Sequence, residues 1–270
     1  PGAETLALPA TDPVAVIDAD SGACLGWGLW NQHARRYLVR VLQDDREATA
    51  KNHFGDVSWA LHDRIDAAAS LRRDVLGLPS SATNMFRLVN REGDNLSGLA
   101  VDVLGDTLVA RSSALWVEVY RQAIEEALRR AWPRHARILW QREIDSLVQD
   151  GYETHFGYAP EAQAEVTGER PVMLTENGVR FELVPGSGKK TGHFVDQREN
   201  RQRLREMVQS MARLRSPAMK LQVLDLFCYS GGFGLSAALG GGSQTNVTAV
   251  DLNADAILSA QQNGHVNGVA

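Results

Sequence analysis

The chain has 270 residues, of which 44% are hydrophobic and 23% are charged, and its formal net charge is −5 at pH 7. These values are ordinary for a globular protein and exclude the disordered and fibrous classes. The length exceeds that of one average domain. The net negative charge excludes a strongly basic nucleic-acid binder but is compatible with a local basic face on the surface.

No apolar run approaches the ~18 residues that a transmembrane helix needs, so a membrane protein is not expected. The two cysteines, Cys24 and Cys228, are too few for a disulfide framework, which favours a reducing compartment. We therefore expect a cytoplasmic protein. The chain begins at Pro1 without a methionine, so the loss of a targeting segment, and with it an organellar location, stays open.

Short strands dominate the first 50 residues. Residues 14–22, 24–29 and 37–42 have strand patterns, and Asp20-Ser-Gly supplies a turn between the first two. Strands this short do not enclose a core by themselves, so we expect further sheet before Pro1.

Residues 51–170 predict an α+β domain. Its elements are a helix over 57–76, strands over 85–90, 98–103 and 107–112, a helix from Val117 to Ala131 that Pro133 stops, and a strand over 137–141. Strands followed by one helix and a further strand form a sheet with one covering helix. We expect this domain to carry no chemistry of its own.

Residues 171–270 predict the beginning of a doubly wound α/β domain. Asn177-Gly178 between two apolar segments predicts a hairpin with a type I′ turn. The next helix is expected to turn Leu204, Met207, Met211 and Leu214 inward. Apolar strands over 221–227 and 247–251 then alternate with helices over 233–239 and 254–263, as in a parallel sheet covered by helices.

The residues that carry chemistry follow these two parallel strands. Asp225 lies in the first strand, the turn Ser230-Gly231-Gly232 opens a helix, and Asp251 ends the second strand. Doubly wound sheets bind ligands at the carboxyl ends of their strands, glycines let the backbone approach the ligand, and helix N-termini favour anions. An acid at the position of Asp251 can accept both ribose hydroxyls. The pattern predicts a nucleoside with an anionic tail.

The glycine spacing discriminates between nucleosides. Gly234 follows Phe233 directly, so the G-x-G-x-x-G dinucleotide fingerprint is not matched. An amino-acid carboxylate therefore fits better than a pyrophosphate, which favours S-adenosylmethionine. A nucleotide-dependent oxidoreductase is the disfavoured alternative.

A second block makes the interpretation more specific. Residues 189–201 read Lys-Lys-Thr-Gly-His-Phe-Val-Asp-Gln-Arg-Glu-Asn-Arg, and residues 225–233 read Asp-Leu-Phe-Cys-Tyr-Ser-Gly-Gly-Phe. Together with residues 86–102, 16–18 and 26–31, these blocks resemble a methyltransferase family that modifies large-subunit ribosomal RNA and includes cytosine-5 enzymes. The chain departs from the family at Ser97, where proline is common, at Ser230, where threonine is usual, and in the longer connection Gly241-Gly242-Ser243.

The resemblance implies three domains. Residues 1–50 would be part of a β-barrel PUA domain that binds RNA, residues 51–170 an α+β linker domain, and residues 171–270 the N-terminal part of a Rossmann-like (α/β) class I methyltransferase domain. The family's catalytic motif and cysteine nucleophile would lie beyond Ala270. We therefore assign no catalytic residue, interpret the chain as a piece of a longer protein, and predict that it is inactive alone.

The implied function is S-adenosylmethionine-dependent methylation of ribosomal RNA, with cytosine C5 of the large-subunit RNA as the favoured target. Two alternatives stay open: methylation of a guanine exocyclic amine, and a non-catalytic RNA-binding module with a remnant of the cofactor site. Ribosomal RNA is the expected partner, and a homodimer is left open. No His/Cys cluster has metal-ligand spacing, so no metal is predicted.

The candidate cofactor-binding residues come from both blocks. They are Gln197, Arg198, Asp225, Phe227, Tyr229, Ser230, Gly231, Asp251 and Asn253. Gln197 and Arg198 are expected to hold the methionine carboxylate, because a guanidinium matches a carboxylate. The candidate RNA contacts are Lys189, Lys190 and Arg201. Cys228 and His193 are interpreted as packed side chains rather than as a nucleophile and a base.

Overall fold

A computed structural model describes residues 11–44, 53–133, 137–161, 170–187, 190–216 and 219–269. The chain forms two compact units. The first contains residues 1–76, 87–102 and 106–165, and the second contains residues 77–86, 103–105 and 166–270. The predicted division into three domains stays a prediction.

The first unit begins with a three-stranded antiparallel sheet in the order β1-β2-β3. Its strands are β1 (Pro13–Ile17), β2 (Cys24–Trp30) and β3 (Val39–Asp44), which confirms the predicted short strands. A side chain at Gly26 or Gly28 of β2 would collide with the backbone of β3, at the carbonyl oxygens of Gln43 and Arg40. The two glycines therefore let β2 and β3 pair closely.

A four-stranded sheet in the order β4-β5-β6-β7 follows. The elements are α1 (Val57–Ser70), β4 (Met85–Asn90), β5 (Leu99–Leu104), β6 (Thr107–Ser112), α2 (Leu115–Val119), α3 (Arg121–Ala131), β7 (Arg137–Arg142), α4 (Ile144–Gln149) and α5 (Tyr152–Phe156). All of its strands were predicted. The predicted helix from Val117 is divided into α2 and α3, and α4 and α5 were missed, because helices of five or six residues are too short to display periodicity.

The second unit has the predicted order of elements. They are the hairpin β8 (Val172–Glu176) and β9 (Val179–Leu183), α6 (Arg198–Leu214), β10 (Leu221–Leu226), α7 (Gly232–Gly241), β11 (Thr245–Val250) and α8 (Ala254–Asn267). Asn177 and Gly178 both have positive φ, as a type I′ turn requires. β10 and β11 are parallel and in register from Leu221 opposite Thr245 to Leu226 opposite Val250. The predicted α/β pattern is confirmed.

The inward face of α6 differs from the prediction. Val208 is buried against Leu221 and Ala237, and Leu204 and Ala212 pack on the same cluster. The predicted Met207, Met211 and Leu214 are exposed. A charged residue, Arg201, lies on the buried face of α6, where Glu176 pairs its charge. Met207 and Met211 lie on the opposite, exposed face.

The alternation of β10 decides which of its side chains approach α7. Leu221 and Val223 pack towards the helices, whereas Leu224 and Leu226 are exposed. Asp225 lies on the same side as Val223, because side chains two residues apart in a strand share a face. The strand predicted to be apolar on both faces is therefore covered on one face within the described residues.

The described residues contain neither a membrane-spanning helix nor a cluster of metal ligands. Among the described residues, none of the helices combines the length and the apolar character that crossing a membrane requires. The same residues contain no group of three or more His, Cys, Asp or Glu side chains arranged to hold a metal ion. The expected cytoplasmic location stays a prediction.

Candidate cofactor-binding site

A cavity of about 520 Å³ lies in the second unit, at the carboxyl ends of β10 and β11. Its wall consists of His193, Phe194, Gln197, Arg201, Phe227, Cys228, Tyr229, Ser230, Gly232, Phe233, Asp251, Leu252 and Asn253. This is the edge of a parallel sheet where ligands bind, and the volume lies in the usual range of ligand sites.

The loop after β10 has an unusual backbone. Phe227 and Tyr229 have φ values of 60° and 49°, which non-glycine residues adopt only at a cost. Three hydrogen bonds hold this conformation: the Cys228 N–H donates to the Val250 carbonyl at 3.0 Å, the Tyr229 N–H to Asp251 Oδ2 at 2.9 Å, and the Gly231 N–H to the Cys228 carbonyl at 2.8 Å. The loop is therefore held in a strained form at the cavity wall.

Asp251 connects the two strand ends. Its Oδ2 accepts from the Tyr229 N–H, and its Oδ1 accepts from the Asn253 N–H, both at 2.9 Å. A carboxylate oxygen can accept more than one hydrogen bond, so these two bonds do not prevent Asp251 from accepting a ligand hydroxyl. Asn253 lines the cavity too, but its Oδ1 caps α8 by accepting from the Asp255 and Ala256 N–H groups.

Asp225 does not line the cavity. Its Oδ2 accepts from the Gly234 N–H at 2.8 Å, in the first turn of α7. Burial raises the pKa of the Asp225 carboxyl above its ordinary value, and the charge of Asp251 adds to this, while the Gly234 N–H opposes it. Asp225 therefore holds the start of α7, and its predicted role in cofactor binding stays a prediction.

The loop after β10 contacts neighbouring segments through Tyr229, Ser230 and Gly231. The Tyr229 hydroxyl donates to the Gly192 carbonyl at 3.4 Å, and its ring meets Phe194 edge-on at 5.2 Å. The Ser230 carbonyl accepts from Asn263 Nδ2 at 3.1 Å. Gly231 has a φ of 81°, and a side-chain carbon there would lie only 3.0 Å from Ala260 Cβ of α8, so both its conformation and its packing favour glycine.

The structure separates the two residues that were predicted to hold the carboxylate. Gln197 lines the cavity, and its Oε1 accepts from Asn200 Nδ2 at 2.9 Å. Arg198 is absent from the wall, and its Nε donates to Glu199 Oε1 at 2.9 Å. This geometry therefore does not support the predicted hydrogen bonds from Arg198 to the carboxylate.

The predicted RNA contacts lie in different environments. Lys190 forms an ion pair with Asp196 at 2.7 Å, and its Nζ lies 4.5 Å from the centre of the Phe194 ring. Lys189 lies outside the described residues. The side chain of Arg201 is only 4% exposed, so its predicted contact with RNA has no support in the geometry.

Sequence reasoning missed the partners of Arg201. Its Nε and Nη2 donate to the two carboxylate oxygens of Glu176, both at 2.6 Å, and Nη2 also donates to the Phe194 carbonyl at 2.9 Å. His193 Nε2 lies 3.0 Å from the same nitrogen. Glu176 ends β8, 25 residues before Arg201, and no local pattern connects the two.

Two pKa shifts describe the electrostatics of the wall and of the Glu176–Arg201 ion pair next to it. Burial alone would raise the pKa of Glu176, but hydrogen bonds from His193 and Arg201 outweigh it and hold this pKa below its ordinary value. Burial raises the pKa of the Cys228 thiol, and the charges of Asp225 and Asp251 add to the shift. The thiolate is therefore disfavoured, which agrees with the interpretation of Cys228 as a packed residue.

Comparison with known families indicates a class of enzyme that is compatible with this fold and cavity. Residues 147–270 match the family of S-adenosylmethionine-dependent methyltransferases. The match agrees with the predicted class of enzyme and with its predicted cofactor, S-adenosylmethionine.

Curated relatives give a more particular similarity. The chain is 34% identical over 221 residues to a ribosomal RNA large subunit methyltransferase of Deinococcus radiodurans, across 78% of this chain and 48% of that protein. It is 31% identical over 261 residues to ribosomal RNA large subunit methyltransferase I of Aeromonas salmonicida, across 97% of this chain and 59% of that protein. The chain thus spans about half to three-fifths of the length of these relatives.

Solved structures support the fold. A chain from Streptococcus mutans assigned as a SAM-dependent methyltransferase superposes with a TM-score of 0.71 at 20% identity, over 98% of this chain and 61% of that chain. A methyltransferase structure in complex with SAH gives a TM-score of 0.71 at 21% identity, over 98% of this chain and 60% of that chain. The predicted Rossmann-like methyltransferase fold is confirmed.

Proposed function

We propose that this protein is an S-adenosylmethionine-dependent methyltransferase that acts on large-subunit ribosomal RNA. The observation that carries the proposal is the cavity at the ends of β10 and β11, which lies within the region that matches the methyltransferase family. The RNA substrate is supported by the names of the relatives at 34% and 31% identity.

The proposed cofactor site uses residues on both sides of the cavity. Asp251 accepts hydrogen bonds from the ribose hydroxyls, and Phe227, Tyr229, Ser230 and Gly231 surround the nucleoside and the sulfur. Gln197 and Asn253 also line the cavity and contact the cofactor in this proposal. The support is geometric: Asp251 is held between the two strand ends by two N–H groups, so its carboxylate is oriented before a ligand arrives.

The chemistry that S-adenosylmethionine supplies is an electrophilic methyl group on a sulfonium. The protein must place this methyl in line with the RNA nucleophile, and correct placement can contribute a large part of the rate. The cavity wall performs that positioning, since its strained loop is held by hydrogen bonds at both ends.

Cytosine C5 is our proposed target. This carbon requires a thiolate to add at C6 before the methyl is transferred, and a base to remove the C5 proton afterwards. Cys228 is not that thiolate in our proposal, because it lies in the loop around the cofactor and its pKa is raised.

We also propose the domain assignments for the first unit. The sheet β1-β2-β3 supports part of a PUA domain within residues 1–50, and the sheet β4-β5-β6-β7 supports a linker domain within residues 51–170. These domains, with Lys189 and Lys190, would contact the RNA.

Titration calorimetry of the chain with S-adenosylmethionine, and with NAD as the competing nucleotide, tests the cofactor. We expect binding of S-adenosylmethionine only. Binding of the chain to isolated large-subunit RNA, with small-subunit RNA as the matched control, tests the substrate. Binding of NAD alone, or equal affinity for both RNAs, would contradict the proposal.

A further inference from the structure

A second cavity, of about 420 Å³, lies in the first unit, where β3 meets the connection between β4 and β5. Its volume is in the usual range of ligand sites. Tyr37 and Arg40, with two valines, line it from β3 and the residues just before it, and Glu92, Asn95 and Ser97 line it from the connection. They belong to one unit and are separate from the residues that line the cofactor cavity.

Arg40 connects the two walls of this second cavity. Its Nη1 donates to Ser97 Oγ at 2.8 Å, and Ser97 Oγ in turn donates to Glu92 Oε1 at 2.8 Å. Its Nη2 donates to Asp150 Oδ1 at 3.0 Å. The side chain of Arg40 is only 12% exposed, so these bonds fix the guanidinium and the Glu92 carboxylate before a ligand arrives.

Three groups of the wall are available to a ligand. The Tyr37 ring is exposed, and Arg40 Cζ lies 5.3 Å from its centre. The backbone N–H of Asn95 donates to the Glu92 carbonyl, whereas its side-chain amide has no hydrogen-bond partner among the described residues. Within the same part of the chain, Ser97 is the only other residue that donates to the Glu92 carboxylate. A flat aromatic surface thus lies beside an unused amide and a carboxylate that can accept further hydrogen bonds.

The charges of the wall disfavour a phosphate as the occupant. Arg40 is the only cation among the described residues of this wall. Burial alone would raise the pKa of Glu92, but hydrogen bonds from its own N–H and from Ser97, with the charges of Arg91 and Arg40, outweigh it and hold this pKa below its ordinary value. Glu92 therefore stays ionised and offsets the charge of Arg40. The wall favours a neutral, planar group that donates N–H bonds.

We propose that this second cavity binds one unpaired RNA base that carries an amino group, with the base stacked on Tyr37, its amino group donating to Glu92 and its polar edge bonded to Asn95. This inference rests on the proposed function, because it names a place where the RNA substrate binds. Unpaired RNA bases are recognised by stacking on aromatic rings and by hydrogen bonds to their edges. Uracil fits less well, since the N–H of its pairing edge lies between two carbonyl oxygens, which a carboxylate repels.

Fluorescence anisotropy with labelled RNAs of about eight nucleotides tests the inference on the full chain. Oligocytidine carries the amino group and oligouridine does not, so the unaltered chain should bind oligocytidine more tightly. Tyr37→Leu removes the ring but keeps an apolar side chain, and it should lower the affinity for oligocytidine about 5- to 100-fold, the scale of one lost base stack. Tyr37→Phe keeps the ring and should change this affinity less than about 2-fold.

Three further variants make the result specific. Tyr158→Leu, at an exposed tyrosine of the same unit outside this cavity, is the matched control and should leave both affinities unchanged. Glu92→Gln should weaken oligocytidine and reduce its advantage over oligouridine, because an amide can also donate to a carbonyl. Asn95 has a φ of 56°, so Asn95→Gly removes the amide without straining the backbone and should weaken both RNAs.

Each other outcome overturns the inference in a recognisable way. Unchanged affinity of Tyr37→Leu, or an equal loss with Tyr158→Leu, would remove the stacking site. Competition by an abasic oligonucleotide of the same length, as strong as that by oligocytidine, would show phosphate contacts instead of base recognition. No binding of oligocytidine, or equal affinity for oligocytidine and oligouridine, would remove recognition of the amino group.

The same RNAs separate this inference from the proposed function. If any of these outcomes occurs while the chain still prefers large-subunit RNA, the inference is wrong and the proposed function stands. If binding of oligocytidine depends on Tyr37 but large-subunit and small-subunit RNA bind equally, the base site stands and the proposed substrate is wrong.

Discussion

Each unit contains a buried arginine that is bidentate with a carboxylate, and the two arginines differ in one nitrogen. In the first unit, Arg72 donates from Nε to the Arg87 carbonyl, from Nη1 to Ala68 and Asp94, and from Nη2 to Asp94. All of its nitrogens are used by the fold. In the second unit, Arg201 leaves Nη1 in a cavity wall.

The difference separates an arginine whose donors are all used within the fold from one that keeps a donor nitrogen in a cavity wall. Both ion pairs are buried to a similar extent, so burial and charge do not distinguish them. The distinction is the nitrogen that has no acceptor within the described part of its unit and lies beside a helix N-terminus. A complete count of donors is therefore more informative about function than the presence of an ion pair.

The largest expected effect is on Arg72. Arg72→Met should lower the free energy of unfolding by about 3–5 kcal/mol, because it leaves Asp94 buried without its partner. Urea denaturation measures this loss, and the double variant Arg72→Met with Asp94→Leu should recover most of it. The folded protein should bind S-adenosylhomocysteine with unchanged affinity. A loss of that affinity would break the contrast between the two arginines.

Glu176→Gln should destabilise the protein by about 2–4 kcal/mol at neutral pH, since the amide no longer neutralises Arg201. The pKa of Glu176 is lowered in the folded state, so its contribution is fully present above the ordinary carboxyl pKa of about 4.3 and is lost as the pH falls through the lower folded-state value. The difference in stability between the variant and the unaltered protein should therefore shrink in acid. Glu199→Gln, at an exposed carboxylate, is the control; a difference independent of pH would contradict the argument.

Asp251→Ala should weaken cofactor binding by about 1–3 kcal/mol, the scale on which a polar ligand group loses its partner. Calorimetry with S-adenosylhomocysteine measures the loss, and Asp255→Ala, in the first turn of α8 and outside the wall, is the matched control. Asp251→Ala should weaken 5′-methylthioadenosine equally, because both ligands carry the ribose. Unchanged affinity would remove Asp251 from the site.

The smallest effect is expected for Asp225→Asn. The pKa of Asp225 is raised in the folded state, so ionisation costs stability as the pH rises from the unfolded-state value through the folded-state value. Asn can still accept from the Gly234 N–H, so the variant should equal the unaltered protein in acid and be up to about 1 kcal/mol more stable at neutral pH. Thermal unfolding at several pH values measures this. Asp225→Ala, which lacks the acceptor, should be less stable throughout.

Sequence patterns predicted most of the second unit because its signals are local. The Asn177-Gly178 turn, the two apolar strands and the glycines after β10 each specify a conformation within a few residues. The inward face of α6 was wrong, since the predicted methionine stripe is exposed and Val208 lies in the core. Apolar character alone did not indicate that a paired arginine would lie on the buried face.

The sequence by itself determined the order of the elements and the cofactor class. It also determined that Asp225 lies in β10 and that Asp251 follows β11. Each of these depends on residues close together in the chain. Only the tertiary structure placed Arg201 in the cavity wall and Arg198 outside it. The two lie on α6 less than one turn apart, and the rotation of this helix is set by Val208 packing on Leu221 and by the bond from Arg201 to Glu176. Those partners come from distant segments, so no local pattern contains them.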